Sequence, residues 1–409
     1  MQKVKMIAGV VVATFGALLS IPILSRYWSG DALTIATIAI LAHSLFGIID
    51  IFRPIIVRRA IADAAFPTLA NVLLPSLGFG LVCAAVLAIL GYMFGESRYG
   101  YLVASVALSA LIFCAYSPFW ACMDSMLRMG EAYLIRSISV GLLYAVIAIG
   151  SKVDEIAFVY VGLVGVNLIA GLWFWIGGRH ALVPGGLSIN RSYIKESIYL
   201  GFQNLSKMVN DFGDRLISSF YLPVSLAGLY NVSSDMAGRV NVPSQITSTY
   251  YYPVICKDRD KVGLLFSIGI LVSFIILAFA AFFYGFGSGL FALYFGPGKQ
   301  DIFPVFCALL AVFGVYSLSF FGQVILRSLA LDGRVLLSFL IPSLAGSLLA
   351  IFYIISGEVT TYRVVMAALI FKSSSMLLMI SLFSRFPIRS SLGIFSVILS
   401  YAFVFHIVF

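Results

Sequence analysis

Apolar residues run along this chain in long blocks separated by short polar connections, without the alternate-residue period of a half-buried strand or the narrow stripe of a surface helix. Blocks of about 20 residues are long enough to cross the hydrocarbon of a bilayer as helices. They fall at about 6–24, 32–53, 69–94, 100–122, 133–150, 156–177, 198–222, 226–255, 262–286, 302–330, 335–356, 361–383 and 389–409. Each is far too long for a membrane strand, and backbone N–H and C=O groups cannot stand open to lipid, so the blocks read as helices. The last one, 389–409, either spans or lies at the interface.

This pattern predicts an all-α, polytopic integral membrane protein with roughly twelve to fourteen transmembrane helices. Composition agrees: 61% of the 409 residues are hydrophobic and 11% charged, and the mean hydropathy is +1.06. Few residues remain for a catalytic domain outside the membrane. The five cysteines, Cys83, Cys114, Cys122, Cys256 and Cys307, lack metal-ligand spacing and read as small buried side chains. Lys3 and Lys5 ahead of the first block resemble a signal peptide, yet Leu24-Ser25-Arg26-Tyr27 is a poor cleavage site, so the block is read as a permanent helix.

The longest connection, about 177–197, holds Gly-Gly-Arg-His, Pro-Gly-Gly and an amphipathic stretch ending Arg191-Ser192-Tyr193-Ile194-Lys195-Glu196. It reads as a linker on the cytoplasmic interface. The chain then divides into a six-helix bundle over 1–176, the linker at 177–197, a second six-helix bundle over 198–384 and an additional helix at 385–409. An even number of crossings separates the starts of the bundles, which makes them pseudo-symmetric parallel repeats.

The net charge of +9 is explained by topology, since the basic residues lack the stripe with stacking aromatics that nucleic acid would require. With the N-terminus inside, Arg58, Arg59, Arg128, Arg179, Arg191, Lys195, Lys257, Arg259, Lys261, Arg334, Arg385 and Arg389 fall on the cytoplasmic side. Arg26, Arg98, Lys152, Lys299 and Arg363 fall opposite.

Charge within the spans is expensive and normally faces protein or a wet cavity. The seventh block carries most of it, in Gln203, Asn204, Lys207, Asn210, Asp211, Asp214 and Arg215. Spacings of three and four residues put Lys207, Asp211, Asp214 and Arg215 on one broad side, where Lys207 with Asp211 and Asp211 with Arg215 are able to pair. The eighth block adds Asp235 and Arg239, one turn apart; the first half supplies His43, Asp50, Arg53, Asp124, Arg128 and Arg136, and Gln323, Arg327 and Lys372 come later. A polar cavity with surplus positive charge suits an anionic headgroup, particularly phosphate or diphosphate. Each ionic pair reads equally as a structural brace between helices, and Arg53, Arg128 and Arg327 lie where snorkelling is sufficient explanation. His43 is either a proton carrier or a hydrogen-bonded packing residue, with Asp50 and Asp214 as equal proton candidates. No phosphate loop, dinucleotide fingerprint, His-Glu-x-x-His or Gly-x-Ser-x-Gly occurs, which disfavours ATP hydrolysis and the common hydrolytic chemistries.

One segment carries a resemblance. Asn210-Asp211-Phe212-Gly213-Asp214-Arg215-Leu216-Ile217, continuing through Tyr221-Leu222-Pro223 to Ala227-Gly228-Leu229-Tyr230, is similar to the seventh-to-eighth helix region of the polysaccharide-transporter branch of the multidrug, oligosaccharidyl-lipid and polysaccharide exporter (MOP) superfamily, which includes the O-antigen flippases. Asp214-Arg215 and Gly228-x-Tyr230 match that pattern, and the resemblance extends over nearly the whole chain. A weaker match is Leu24-Ser25-Arg26-Tyr27-Trp28-Ser29-Gly30, where Ser25 and Trp28 depart from the usual Leu-Ala-Arg-x-Leu-Gly turn. The thirteenth block also departs from the usual twelve helices.

The resemblance implies a secondary transporter, with no cofactor, that moves an undecaprenyl-diphosphate-linked oligosaccharide between leaflets of a bacterial inner membrane by alternating access, coupled to protons or sodium. It implies Lys207, Arg215 and Arg239 as headgroup contacts and Arg53, Arg128 and Arg327 as a cytoplasmic entry set. Asp211, Asp214 and Asp235 then balance charge or respond to the coupling ion. A glycan polymerase complex is the implied partner. The competing expectations are a multidrug exporter of the same superfamily and an accessory scaffold of glycan assembly; the outside connections are too short for the large loop expected of a polymerase or ligase.

Overall fold

The structure, a computed structural model, describes residues 2–49, 69–93, 97–126, 128–179, 191–257, 259–296, 298–329 and 331–408. Its regular elements are all helical. Among the described residues, nine helices are long and apolar enough to cross a membrane, and the chain forms two compact units, residues 1–204 and 205–409. The protein is therefore an all-α polytopic membrane protein.

The first unit contains α1 (Gln2–Tyr27), α2 (Gly30–Ile49), α3 (Leu69–Met93), α4 (Arg98–Ser125), α5 (Met129–Lys152) and α6 (Ala157–Gly178). The turn between α1 and α2 is tied to the turn between α5 and α6. Trp28 is buried and its indole N–H donates to Asp154 Oδ1 at 3.1 Å, while Asp154 takes a left-handed φ of 56°, a conformation that Asp tolerates better than most side chains. Trp28 thus has a specific bonding role at its departure from the resembling turn. At the other end of the α1 and α5 pair, Lys5 bonds Glu131 at 3.1 Å.

Helices α4 and α6 pack through rings, Tyr116 and Trp120 stacking on Phe174 with centroids 5.3 and 5.2 Å away. They then close to backbone contact, where a Cβ at Gly178 would lie 2.4 Å from the carbonyl oxygen of Phe119. That oxygen belongs to the helix itself and cannot rotate away, so only glycine fits.

The second helix set is α7 (Arg191–Tyr221), α8 (Val224–Gly238), α9 (Val242–Lys257), α10 (Val262–Phe286), α11 (Ser288–Phe295), α12 (Phe303–Ser328), α13 (Asp332–Ile355), α14 (Thr361–Phe371), α15 (Ser374–Leu382) and α16 (Pro387–Val408). The boundary between the units falls within α7. Helix α12 is apolar on nearly every side, as a fully enclosed helix must be, and almost all of it is buried. Its Phe321 and Ile325 join Phe266 of α10, Phe339 of α13, Leu378 of α15 and Val397 of α16 in one core. Small hydroxyls stitch the same helices: Ser400 donates to the Ala311 carbonyl at 2.9 Å, and Ser273 and Ser396 lie 2.8 Å apart. Such bonds help membrane helices associate where lipid removes most of the hydrophobic drive.

Four features refine the expected spans. The stretch Arg191–Glu196 is the first part of α7; residues 180–190 lie outside the described residues. The block at 226–255 is broken by a 3₁₀ turn at Arg239–Asn241. Pro243 cannot supply the N–H that the Arg239 carbonyl would take four residues on, and that carbonyl accepts from Val242 instead. The block at 361–383 is also two helices. Ser373 hydrogen-bonds back to the Ile370 carbonyl through both its N–H, at 3.1 Å, and its hydroxyl, at 2.7 Å, tightening the ladder there. Finally, Ser288–Phe295 forms the short helix α11, although the apolar pattern left it in a connection.

The break before Ser373 seats a buried charge. The ring of Phe371 lies between two glycines: a Cβ would come within 2.7 Å of it from Gly213 on α7 and within 2.4 Å from Gly346 on α13. With that ring in its slot, the next residue, Lys372, reaches Asp214 at 2.8 Å, the two side chains 1% and 0% exposed.

Two stability predictions follow from this packing. Gly178→Ala lowers the melting temperature of the purified protein, at a cost of about 1–3 kcal/mol for overpacking, whereas Gly165→Ala, with open space around it, leaves melting near the wild type. Lys372→Met and Asp214→Asn each cost about 3–5 kcal/mol, since each strands a buried partner, and the double variant recovers most of that loss. Thermal melting of all three in detergent measures the coupling; additive losses would contradict the pairing.

Candidate functional site

The second unit concentrates charge along α7 and α8. On α7, i to i+4 spacing puts Lys207 over Asp211, and the two bond at 2.9 Å. Tyr316 of α12 donates to the other oxygen of Asp211, and the Lys207 ammonium stands 5.3 Å from the centre of the Phe320 ring. Three residues further on, Asp214 is wholly enclosed. Its Oδ1 accepts from Lys372, and its Oδ2 accepts from Tyr230 and Ser234 of α8, each at 3.1 Å. The Lys372 ammonium lies 4.7 Å from the centre of the Phe313 ring, so α7, α8, α12 and the end of α14 all contribute to one enclosed ionic core.

Arg215 points to α8. Its Nε donates to Ser234 at 3.1 Å and its Nη1 to Asp235 Oδ1 at 3.2 Å. Arg239 donates to the other oxygen, Asp235 Oδ2, also at 3.1 Å. One carboxylate therefore joins two guanidiniums. The pairing of Asp211 with Arg215 that the spacing allows is not the one formed: Arg215 bonds across to α8, while Asp211 is held by Lys207 and Tyr316. A polar seam continues toward the Leu222-Pro223 turn, where Ser218 donates to Asn231 at 2.6 Å and Asn231 to Ser219 at 2.8 Å.

Four cations, Lys207, Arg215, Arg239 and Lys372, thus meet three carboxylates, Asp211, Asp214 and Asp235. One positive charge is left over. Each cation has a carboxylate partner. Exposure grades the set: the Asp214 and Lys372 side chains are sealed, whereas Asp235 and Arg239 are 16% and 19% exposed.

The remaining candidates have other settings. His43, on α2 of the first unit, is buried; its Nδ1 lies 3.3 Å from Asn167 Nδ2, and its carbonyl accepts from Arg136 at 2.7 Å. Tyr116 closes the group by donating to Asn167 Oδ1 at 3.3 Å. Arg128 bonds Glu131 at 2.6 Å and donates to the Gly177 carbonyl at 2.8 Å, so it caps the end of α6 in the way cations commonly satisfy terminal carbonyls. Arg327 lies in the last turn of α12. Asp50 and Arg53 fall outside the described residues. Among the described residues no three His, Cys, Asp or Glu side chains converge as metal ligands, and Cys83, Cys114, Cys122 and Cys307 are free thiols.

Sequence reasoning missed Tyr316, Phe313 and Ser234, and it gave Lys372 no role. A single tyrosine or serine in an apolar helix carries no pattern. The lysine did carry a signal, since a charge amid apolar residues needs a partner, but its partner lies 158 positions away.

The sequence matches no family model, and no curated protein matches it. Solved structures do. The chain superposes on a lipid II flippase, MurJ, in an inward closed conformation with a TM-score of 0.68, at 16% identity over 96% of this chain and 91% of that one. An outward-facing multidrug resistance MATE transporter gives 0.56, at 15% identity over 95% and 94%. A MOP-superfamily transporter from Pyrococcus furiosus, described as having a binding pocket of reversed polarity, gives 0.53, at 14% identity over 98% and 95%. The chain has the fold of the MOP-superfamily transporters.

Proposed function

We propose that this protein is a flippase carrying an undecaprenyl-diphosphate-linked oligosaccharide, the repeat unit of O-antigen or a related surface glycan, from the cytoplasmic to the periplasmic leaflet of a bacterial inner membrane. It works as a secondary transporter by alternating access of two six-helix bundles, with twelve to fourteen crossings, the N-terminus in the cytoplasm and coupling to an ion. It delivers its cargo to a glycan polymerase complex.

The observation that carries this reading is the bridging of Arg215 and Arg239 on one partly exposed carboxylate, within a fold shared with a lipid II flippase. Two guanidiniums aimed at one acidic group form a multidentate oxyanion site, the chemistry a lipid-linked diphosphate presents. Lys207, one turn of α7 before Asp211 and also part-exposed, extends the positive side toward the sugars. The charge left over favours an anionic cargo over the organic cation of a drug exporter.

Depletion of the protein is expected to strand the lipid-linked glycan in the cytoplasmic leaflet, as read by leaflet-resolved labelling, and re-expression to relieve it. Normal transfer on depletion sinks the flippase reading and points to drug export or a scaffold role. Within the re-expression assay, Arg215→Ala lowers transfer by about tenfold or more, the scale of losing one charge-assisted hydrogen bond, while the variant stays inserted. Near-normal transfer by the inserted variant removes Arg215 from the essential set.

A further inference from the structure

We infer that Asp235 is a tethered stand-in for the cargo's diphosphate: it holds Arg215 and Arg239 in the empty carrier and is displaced by the phosphate oxygens when cargo binds. The inference rests on the flippase reading above and adds to it the residue that sets affinity and permits the empty carrier to return.

The geometry supports this in three ways. Asp235 gives one oxygen to each guanidinium, at 3.2 and 3.1 Å, so both arginines are drawn to the same point. A diphosphate offers more oxygens and more charge to that point than a carboxylate does, which favours exchange in its direction. Second, Arg215 has supports besides Asp235. Arg215 stays anchored through Nε to Ser234 and its guanidinium lies 5.5 Å from the centre of the Phe212 ring, so it does not collapse when the carboxylate leaves. Third, Asp235 is 16% exposed, unlike Asp214. A sealed carboxylate could not exchange partners without leaving an unpaired charge enclosed, whereas a partly exposed one has room to rotate away.

Charge compensation then holds in both halves of a transport cycle. In the empty carrier Asp235 answers the guanidiniums; in the loaded carrier the diphosphate does. Without the stand-in, the empty carrier would have to reorient with two close guanidiniums lacking their shared counter-charge, a costly state within a bilayer. Asp214 cannot substitute, because its oxygens are taken by Lys372, Tyr230 and Ser234.

The test uses the full-length protein in detergent, with farnesyl diphosphate as probe and titration calorimetry as readout. An internal competitor that occupies its site about nine-tenths of the time weakens apparent affinity about tenfold. Asp235→Asn is therefore expected to bind the probe about tenfold more tightly than the wild type, and Asp235→Glu to bind like the wild type. Unchanged or weaker binding by a folded Asp235→Asn protein, with the wild type binding normally, overturns the stand-in and leaves the flippase reading in place. No binding by wild type or variant overturns both. Should Asp235→Asn fail to fold, carbodiimide labelling of wild-type Asp235, read by mass spectrometry, decides the matter. Labelling that rises when farnesyl diphosphate is added supports release of the carboxylate, and labelling that falls or stays level overturns it.

Discussion

Charge has to be cancelled locally when there is no water to do it, and the bond between Lys372 and Asp214 is where this constraint shapes the second unit. Both groups are sealed, and their separation would leave an ion in a medium that solvates it poorly. Satisfying the pair draws in much of the surrounding architecture. Tyr230 and Ser234 bring α8 against α7, Phe313 brings α12 alongside, and the ring of Phe371 needs the bare backbone of Gly213 and Gly346. The more open arginines next to it rest on that foundation, because Ser234 bonds Asp214 and Arg215 at once.

The first unit meets the same constraint with a guanidinium set among neutral groups. His43, Tyr116 and Asn167 bond to one another and Arg136 donates to the histidine's carbonyl, while His43 Nε2 is buried without a hydrogen-bond partner among the described residues. Its more peripheral charges, Lys5, Arg128 and Glu131, form a small network at helix ends. In the second unit the cations pair with carboxylates, and breaking such a pair leaves an uncompensated charge.

Much of the architecture was legible in the chain because the bilayer makes span length and apolar continuity nearly sufficient signals. The helices Ala157–Gly178 and Val262–Phe286 fall within a residue or so of the blocks at 156–177 and 262–286. Pairings within one helix, such as Lys207 with Asp211 and Asp235 with Arg239, were legible from spacing alone. Those between helices were not. Arg215 had an acceptable partner nearby on its own helix and took one on α8 instead, a choice made by how α7 and α8 face each other across the Leu222-Pro223 turn. The interruption at Ser373 was hidden for a related reason: it comes from a serine bonding its own backbone, and serines are common in intact helices.

The 3₁₀ turn at Arg239–Asn241 also changes the angular phase of the chain. Three residues of 3₁₀ helix turn through about 360°, against about 300° for three residues of α-helix. Helix α9 therefore leaves the turn rotated by about 60° from the line α8 would have continued. The side of α8 that carries Ser234 and Asp235 does not run on down α9 as one stripe. Further along, α9 turns Ile255 into the apolar core. Pro243, although it bonds to nothing in the ionic cluster, acts as an indexing element that sets the angle at which the second half of one apolar block meets the core.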